Sequence, residues 1–418
     1  MPHHLLRTCA AVAAGTLALV GIGAGPASAA VAPLGVVSEV TAGITAGSEP
    51  YDIVSGPDGN MWFTEPRLNK VARMTTRGAV TELTSQIPAN VGPLHLTVGS
   101  DGNLWFSEAY KNQLARLTTG GVVTEFTAGG GTGRIGEMTA GPDGNVWYVK
   151  SRAIGRMTPA GEVTEFSAGL AADARIGEIA AGPDGNLWFA EYQGGRVGRV
   201  TPSGQITEFA TGLDPELSLL DIAAGPDGTM WFTADDEQLR RIATDGVVST
   251  LPHTGVRGAF TTLPDGSVWY IAGGGRVGRI ASNGAVRTFG GGFTNGPADL
   301  ALGPDGNLWF TDTTGDLAGR IGTGAVLTMT CVEKGGVTKP RLKVVCRTTG
   351  LGAAPTVRWK VARKDSGSLV ARGRKALVGG KLVMNLSRAD ARQGRHRVTV
   401  TRGSGIDKVV VTRVLRLT

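Results

Sequence analysis

Ionisable side chains occupy one position of a motif that recurs along the chain. The position lies just before an aliphatic residue, shortly ahead of a tryptophan, and its seven occupants are Asp52, His95, Glu137, Glu178, Asp221, Ala259 and Asp299. Facing carboxylates raise one another's pKa unless a cation or a hydrogen-bond donor lies between them. The five acids are therefore candidate ligands for Mg²⁺ or Ca²⁺, which prefer oxygen. The alternative is that each acid accepts hydrogen bonds from backbone amides of a neighbouring element.

A second set of residues follows each repeated tryptophan by three positions. Its members are Glu65, Glu108, Lys150, Glu191, Ala234, Ala272 and Asp312. These residues supply further carboxylates, provided that the fold brings the repeated motifs together. The sequence shows no Ser-His-Asp pattern, phosphate-binding loop or Cys/His metal-binding spacing, so these two sets are the main candidates for chemistry.

Tryptophan spacing identifies the elements that must position these residues. Seven of the eight tryptophans are separated by 38 to 43 residues, at positions 62, 105, 147, 188, 231, 269 and 309. With 65 Gly and 20 Pro among 418 residues, long helices are not expected. Each repeat instead contains four short β-branched or aromatic segments bounded by turn residues, which predict strands. Four antiparallel strands per repeat predict an all-β protein with a seven-bladed β-propeller over residues 30–324.

The predicted ring gives roles to its repeated turn and to its ends. The Asp of the Pro-Asp-Gly turn is expected to be structural rather than metal-binding, and the tryptophan is expected to be buried between neighbouring blades. An outer-strand motif of the type Val-Thr-Glu-Phe also recurs, with further copies at residues 37–40 and 326–329. We predict that residues 37–40 supply the outer strand of the last blade.

The first 29 residues predict export. Basic residues precede an uncharged stretch, and Ala27-Ser28-Ala29 supplies the small-x-small pattern that signal peptidase reads. No later run reaches about 18 apolar residues, so no membrane span is expected. The mature chain keeps Cys331 and Cys346, which an exported protein is expected to join in a disulfide. We predict a secreted, monomeric protein.

Composition changes at about residue 325. Residues 331–418 hold 21 Lys and Arg against four acidic residues, a net charge of +17, whereas the rest of the chain has a net charge of −10. Alternating apolar and polar residues with Gly-rich turns predict a small immunoglobulin-like β-sandwich over residues 325–418. This charge predicts an anionic partner, such as wall teichoic acid, an anionic glycan or extracellular nucleic acid. The alternative is that the arginines serve only solubility.

The repeats resemble those of the virginiamycin B lyases, also called streptogramin B lyases. The resemblance covers roughly residues 35 to 323 and rests on segments such as Leu187-Trp188-Phe189-Ala190-Glu191 and Ile206-Thr207-Glu208-Phe209. It implies a seven-bladed propeller closed by an N-terminal strand. It also implies a Mg²⁺-dependent opening of a cyclic depsipeptide antibiotic, in which a base takes a Cα proton and the ester oxygen is eliminated.

The last blade of these lyases carries a Glu-Pro-His stretch and a later carboxylate. The stretch matches Gly296-Pro297-Ala298 here, so Ala298 stands where the family has its base, and the later carboxylate corresponds to Asp312. The first blade keeps Glu49-Pro50-Tyr51, with Glu65 as the later carboxylate, and the second keeps Pro93-Leu94-His95, with Glu108.

This comparison gives two groups of candidate residues. The candidate catalytic residues are His95, Glu108 and Asp312, and the candidate ligand-binding residues are Tyr51, Glu65 and Glu191. His95 lies one residue later than the family's base, and the alternation of side chains along a strand predicts that it faces the opposite way.

Three functions follow from these patterns. The first is a secreted propeller of the lyase type that binds a small molecule or glycan at the mouth of its channel, with carbon–oxygen elimination as its potential chemistry. The second is a non-catalytic wall- or glycan-binding propeller anchored by its basic C-terminal domain. The third is a metal-dependent lactone or ester hydrolase. Fold alone does not choose among them.

Overall fold

The computed structural model describes most of residues 32–323 and seven segments between residues 328 and 417. The described residues are 32, 34–130, 134–150, 152–290, 296–323, 328–334, 341–349, 357–363, 369–375, 381–387, 394–402 and 409–417. The predicted signal peptide lies outside them. Among the described residues, no helix has the length and hydrophobicity that a membrane crossing requires.

Seven four-stranded antiparallel sheets form the predicted propeller. The first strand is β1 (Val37–Val40), which belongs to blade 7. Blade 1 holds β2 (Ile53–Ser55), β3 (Met61–Glu65), β4 (Lys70–Met74) and β5 (Val80–Leu83), with a 3-10 turn at Pro66–Leu68. Blade 2 holds β6 (Pro93–Val98), β7 (Leu104–Glu108), β8 (Gln113–Leu117) and β9 (Val123–Thr127). Blade 3 holds β10 (Met138–Ala140), β11 (Val146–Lys150), β12 (Ala153–Met157) and β13 (Val163–Phe166).

The remaining blades repeat this order, with the innermost strand first. Blade 4 holds β14 (Arg175–Ala181), β15 (Leu187–Gln193), β16 (Arg196–Val200) and β17 (Ile206–Ala210). Blade 5 holds β18 (Leu219–Ala224), β19 (Met230–Ala234), β20 (Gln238–Ile242) and β21 (Val248–Thr254). Blade 6 holds β22 (Val256–Thr262), β23 (Val268–Ala272), β24 (Arg276–Ile280) and β25 (Val286–Phe289). Blade 7 holds β26 (Asp299–Leu302), β27 (Leu308–Asp312) and β28 (Leu317–Ile321), completed by β1.

The repeated Pro-Asp-Gly turn is structural, as predicted. In blade 4, Asp184 Oδ1 accepts hydrogen bonds from the backbone N–H of Asn186 at 3.2 Å and from the indole N–H of Trp188 at 3.1 Å. The same Asp–Trp bond recurs in blades 1, 2, 3, 5 and 7. Gly182 directly precedes Pro183 of this turn. A Cβ atom at Gly182 would lie only 2.4 Å from the Trp188 ring, so close packing requires glycine at this position.

Each repeated tryptophan is buried against the following blade, which confirms the predicted core. Trp188, for example, packs with Leu219, Ile222 and Phe232 of blade 5. The guanidinium of Arg199 lies 5.5 Å from the centre of the Trp188 ring and donates a hydrogen bond to Thr244 O of the next blade at 2.8 Å. The tryptophan and the arginine together therefore join neighbouring sheets.

The closing strand β1 confirms the predicted closure of the ring. It pairs antiparallel with β28, with Val37 opposite Ile321 and Val40 opposite Ala318. Gly35 N donates a hydrogen bond to Gly322 O, and Gly322 N donates to Val36 O, so the pairing extends beyond the strand itself. Of the second outer-strand copy, at residues 326–329, the described residues Thr328 and Met329 belong to a different sheet.

The described segments after residue 327 form two antiparallel sheets. Their strands are β29 (Thr328–Lys334), β30 (Arg341–Thr349), β31 (Val357–Arg363), β32 (Leu369–Lys375), β33 (Lys381–Ser387), β34 (Gly394–Arg402) and β35 (Val409–Leu417). One sheet has the order β29-β30-β33 and the other the order β32-β31-β34-β35. The backbone register places Cys331 directly opposite Cys346. The disulfide, the immunoglobulin-like sandwich and the binding of an anionic wall polymer stay predictions.

Candidate functional site

A cavity of about 330 Å³ lies where the inner strands of all seven blades begin. We call it the axial cavity. All six ionisable residues of the first repeated set line it, together with Tyr51 and Ala298. The structure therefore brings together Asp52, His95, Glu137, Glu178, Asp221 and Asp299, which are spread over almost 250 residues of sequence. The repeat explains this convergence, because equivalent positions of equivalent blades face the same axis.

Three of the acids bind the backbone of the following blade. Asp52 Oδ2 accepts a hydrogen bond from Leu96 N at 2.8 Å, and Asp221 Oδ2 accepts one from Phe260 N at 2.9 Å. Asp299 of blade 7 accepts one from Ile53 N of blade 1 at 3.0 Å. For these three aspartates the structure supports the alternative that each acid accepts a hydrogen bond from a backbone amide of the neighbouring blade. The same bonds fix the relative positions of adjacent inner strands.

Burial dominates the titration of these acids. It raises the pKa of Asp221 to about 7, although two backbone N–H groups lower that pKa. Burial and the neighbouring carboxylate of Asp299 raise the pKa of Asp52 well above its usual range. Burial, followed by the charges of Glu137 and Asp221, does the same for Glu178. The axial cavity therefore concentrates carboxyl groups that repel one another and resist ionisation.

His95 is the one potential cation of this ring. Its Nδ1 atom lies 2.7 Å from Glu137 Oε2 and 3.9 Å from Asp52 Oδ2. Burial raises the pKa of Glu137, but the adjacent imidazole outweighs that effect, and the pKa lies below its ordinary value. The ligand atoms of Asp52, His95 and Glu137 all lie within 4.8 Å of one another, a separation that one metal ion could bridge.

The expectation that His95 faces away from the position of the lyase base is wrong. Tyr51, at the equivalent of that base position in blade 1, and His95 both line the axial cavity, and their rings meet edge to face with centroids 5.8 Å apart. In β6, Pro93 pairs with Glu108 and Leu96 with Phe106, so a β-bulge leaves two residues opposite one. Consecutive residues also line the cavity in blade 1, with Tyr51 and Asp52, and in blade 7, with Ala298 and Asp299. Alternation therefore does not decide which side chains reach the cavity where an inner strand begins.

The second repeated set lies inside the blades and not on the cavity. Glu65, Glu108 and Glu191 have no exposed surface, and Asp312 is 1% exposed. Burial raises the pKa of each of the three glutamates to about 7. Glu191 is paired with Arg196 Nη2 at 2.8 Å, and Glu108 lies 3.7 Å from Lys111 Nζ.

Asp312 is held by backbone groups. It accepts hydrogen bonds from the N–H groups of Gly296, Thr314 and Gly315 at 2.9–3.0 Å. Of the predicted catalytic residues, the structure therefore places only His95 at the axial cavity, and of the predicted ligand-binding residues only Tyr51. Burial and nearby carboxylates, with Glu178 foremost, raise the pKa of Tyr51 to about 12, so its phenol stays protonated at neutral pH.

Sequence reasoning missed a second cavity beside the first. It has a volume of about 380 Å³, shares Tyr51 and His95 with the axial cavity, and is further lined by Arg134, Arg175 and Tyr192. We call it the side cavity. Arg134 and Arg175 each lie three residues before the ionisable position of their blade, in the segments Arg134-Ile135-Gly136-Glu137 and Arg175-Ile176-Gly177-Glu178. This shared segment of blades 3 and 4 is the signal in the sequence that could have identified them.

The seven sheets surround one axis, and ionisable residues line a cavity on that axis. This arrangement defines a seven-bladed β-propeller with a polar centre. The model of the virginiamycin B lyase family matches residues 28–252 and 221–339. The chain belongs to this family.

Solved structures agree with this assignment. The chain is similar to virginiamycin B lyase from Staphylococcus aureus, with 27% sequence identity and a TM-score of 0.62 over 69% of this chain and 99% of that one. It is similar, at 27% identity and a TM-score of 0.61, to a catalytically inactive His-to-Ala variant of the S. aureus enzyme solved with quinupristin. The chain is also similar to an extracellular domain of a hybrid two-component system from B. thetaiotaomicron. The identity is 13% and the TM-score is 0.57, over 92% of this chain and 59% of that one, so this likeness shows the fold alone. No curated protein sequence matches the chain significantly.

The Mg²⁺ site that the resemblance implies does not fit blade 7 of this chain. Gly296, Pro297 and Ala298 offer no side-chain ligand there, and Asp312 is already surrounded by backbone donors. A metal ion needs oxygen or nitrogen ligands that can turn toward it. Any cation in this propeller must therefore bind elsewhere.

Proposed function

We propose that this protein is an exported binding propeller that uses the lyase fold without the lyase reaction. In this proposal a divalent cation binds to Asp52, His95 and Glu137 and helps to hold a small polar ligand in the axial cavity. The observation that carries the proposal is the convergence of these three ligand atoms to within 4.8 Å in a cavity of about 330 Å³. The N-terminal sequence, with its small-x-small pattern at Ala27-Ser28-Ala29, supports export.

The chemistry of the three side chains predicts which cation binds. One imidazole nitrogen and two carboxylates suit Zn²⁺ or Mn²⁺ better than Mg²⁺ or Ca²⁺, which prefer oxygen alone. A cation at this point would also separate carboxylates that otherwise raise one another's pKa. Because the acids must lose protons to bind it, affinity should increase with pH.

Loss of one carboxylate tests the cation site. We expect the Glu137→Gln variant to bind Zn²⁺ or Mn²⁺ at least about tenfold more weakly than the unchanged protein, because the amide keeps the shape of the side chain but not its charge. Titration calorimetry after removal of metal with a chelator measures this. Glu216→Gln, at an exposed glutamate in the connection between blades 4 and 5, is the matched control. Equal affinity in the Glu137→Gln variant, or no saturable binding to either protein, would contradict the proposal.

A streptogramin B antibiotic should remain intact when incubated with this protein, with or without divalent cations. Elimination requires a base that takes a proton from carbon, and Ala298 stands at the family's base position. Mass spectrometry distinguishes the outcomes, with the S. aureus lyase as positive control. A ring-opened product of unchanged mass would overturn the proposal, and its loss in a His95→Ala variant would assign the base to His95. A product heavier by one water would support the hydrolase alternative.

A further inference from the structure

The side cavity has the opposite charge to the axial cavity that it adjoins. Its lining includes Arg134, Lys150 and Arg175 and no carboxylate. The ammonium group of Lys150 is already used, because it donates to Ala128 O and Gly130 O and pairs with Glu165 at 2.5 Å. The two arginines are the groups available to a ligand.

Arg134 and Arg175 have no acidic partner within 4.0 Å among the residues that the structure describes. Arg134 is exposed and Arg175 is half-buried. Two guanidinium groups that line one cavity repel each other unless an anion lies between them. A guanidinium presents a fixed fork of donors that matches the oxygens of a phosphate or carboxylate.

Aromatic and glycine residues give the side cavity its shape. Tyr51 and Tyr192 are 39% and 52% exposed, so part of each side chain is accessible to a ligand in the cavity. A Cβ atom at Gly177 would meet nothing closer than Tyr192 Cβ at 3.7 Å, so the lining there has room for a further group. Flat apolar walls with a few charged donors are typical of sites that bind small polar ligands.

We infer that the side cavity binds a sugar or polyol unit that carries a phosphate or a carboxylate. The anionic group lies between Arg134 and Arg175, and the ring or carbon chain lies against Tyr192. The inference goes beyond the cation site, because it uses a different cavity and different charged residues, and it stands without a bound metal.

Titration calorimetry on metal-free protein tests the inference with three ligands: glucose 6-phosphate, glucuronate and glucose. We expect saturable binding of at least one of the two anionic sugars and binding of glucose that is at least about tenfold weaker, because charged hydrogen bonds supply most of the affinity. Comparison of the two anionic sugars distinguishes a phosphate ligand from a carboxylate ligand.

Variants locate the binding. The double variant Arg134→Gln/Arg175→Gln should lose at least about tenfold in affinity, whereas Arg287→Gln, at an exposed arginine of blade 6, should bind as the unchanged protein does. Gly177→Leu, which fills the cavity and keeps both arginines, should also lose binding. Melting curves establish that each variant is folded. The inference is overturned if neither anionic sugar binds, if glucose binds equally well, or if the folded double variant binds normally.

Measurement of the unchanged protein with and without a chelator keeps this test separate from the cation site. The affinity for the anionic sugar should be the same in both conditions. Loss of sugar binding when the chelator is added would show that a bound metal ion, not the arginine pair, holds the ligand, and would contradict the inference.

Discussion

A chain that begins at residue 42 is expected to melt roughly 10 °C or more below a chain that begins at residue 30. The missing segment contains the closing strand β1, whose backbone pairs with β28. Val37 packs against the core between blades 6 and 7, and Val40 packs against the core between blades 7 and 1. The net loss of about four hydrogen bonds and of two partly buried valines is on the order of 5 kcal/mol.

Two further measurements show whether pairing by β1 causes this loss. A synthetic peptide of residues 34–44, added in excess, should raise the melting temperature of the shortened chain, because it restores the missing strand. Val37→Asp/Val40→Asp should destabilise the full chain, whereas Glu39→Gln, at an exposed position of the same strand, should not. Melting of the shortened chain at the temperature of the full chain would show that the ring does not depend on its closing strand.

Replacing two buried glutamates by glutamine should remove their share of the dependence of stability on pH, to which Glu191 and Asp221 also contribute because their pKa values are raised to about 7. Burial raises the pKa of Glu65 and of Glu108 from 4.5 to about 7 in the folded protein. Below pH 4.5 both groups are protonated in the folded and unfolded states. Between pH 4.5 and 7 the folded state holds protons that the unfolded state has released, so stability falls as pH rises. Above pH 7 the full cost of the two buried charges is present.

The expected size of this effect is large. Each pH unit within the window costs about 1.4 kcal/mol per carboxyl, or roughly 3 kcal/mol for each group across the window at most. The melting temperature of the unchanged protein should therefore be roughly 5 to 10 °C lower at pH 8 than at pH 5. Glu65→Gln/Glu108→Gln should melt higher than the unchanged protein at pH 8 and show little such advantage at pH 5.

The control for this measurement is Glu216→Gln, since Glu216 is an exposed glutamate of the same propeller. It should keep the full pH dependence. If the double variant also kept it, the two buried carboxyls would not be the groups that titrate during unfolding.

Periodicity made the propeller predictable. Each blade buries one tryptophan against the next blade, as Trp62 shows in blade 1. The number of repeated tryptophans therefore equals the number of interfaces between blades. The arginines that cover these tryptophans were not predicted, although they recur 9 to 11 residues after the tryptophan in six blades, at Arg73, Arg116, Arg156, Arg199, Arg279 and Arg320. Spacing shows that these arginines are equivalent, but it does not show which ring each of them covers.

The site was predictable only where it follows the repeat. Asp52 and its equivalents begin the inner strands, so the ring directs them to the axis. Glu65 recurs just as regularly, yet it ends the second strand, where the side chain turns into the blade. His95 follows the same repeat, but its contact with Glu137 is not visible in the spacing. Arg134 and Arg175 precede Glu137 and Glu178 by three residues, yet the spacing does not show that they border a separate cavity.

Closure by β1 also relates the fold to the order in which the protein is synthesised. The segment Val37–Val40 leaves the ribosome early, but its partner Leu317–Ile321 is made only when the last blade is almost complete. Until then β1 has no neighbour and the ring has an unpaired edge, which is a site for aggregation or proteolysis. A chain whose translation stops early can therefore never complete the circle, and only a full-length propeller acquires the protection of a closed sheet edge.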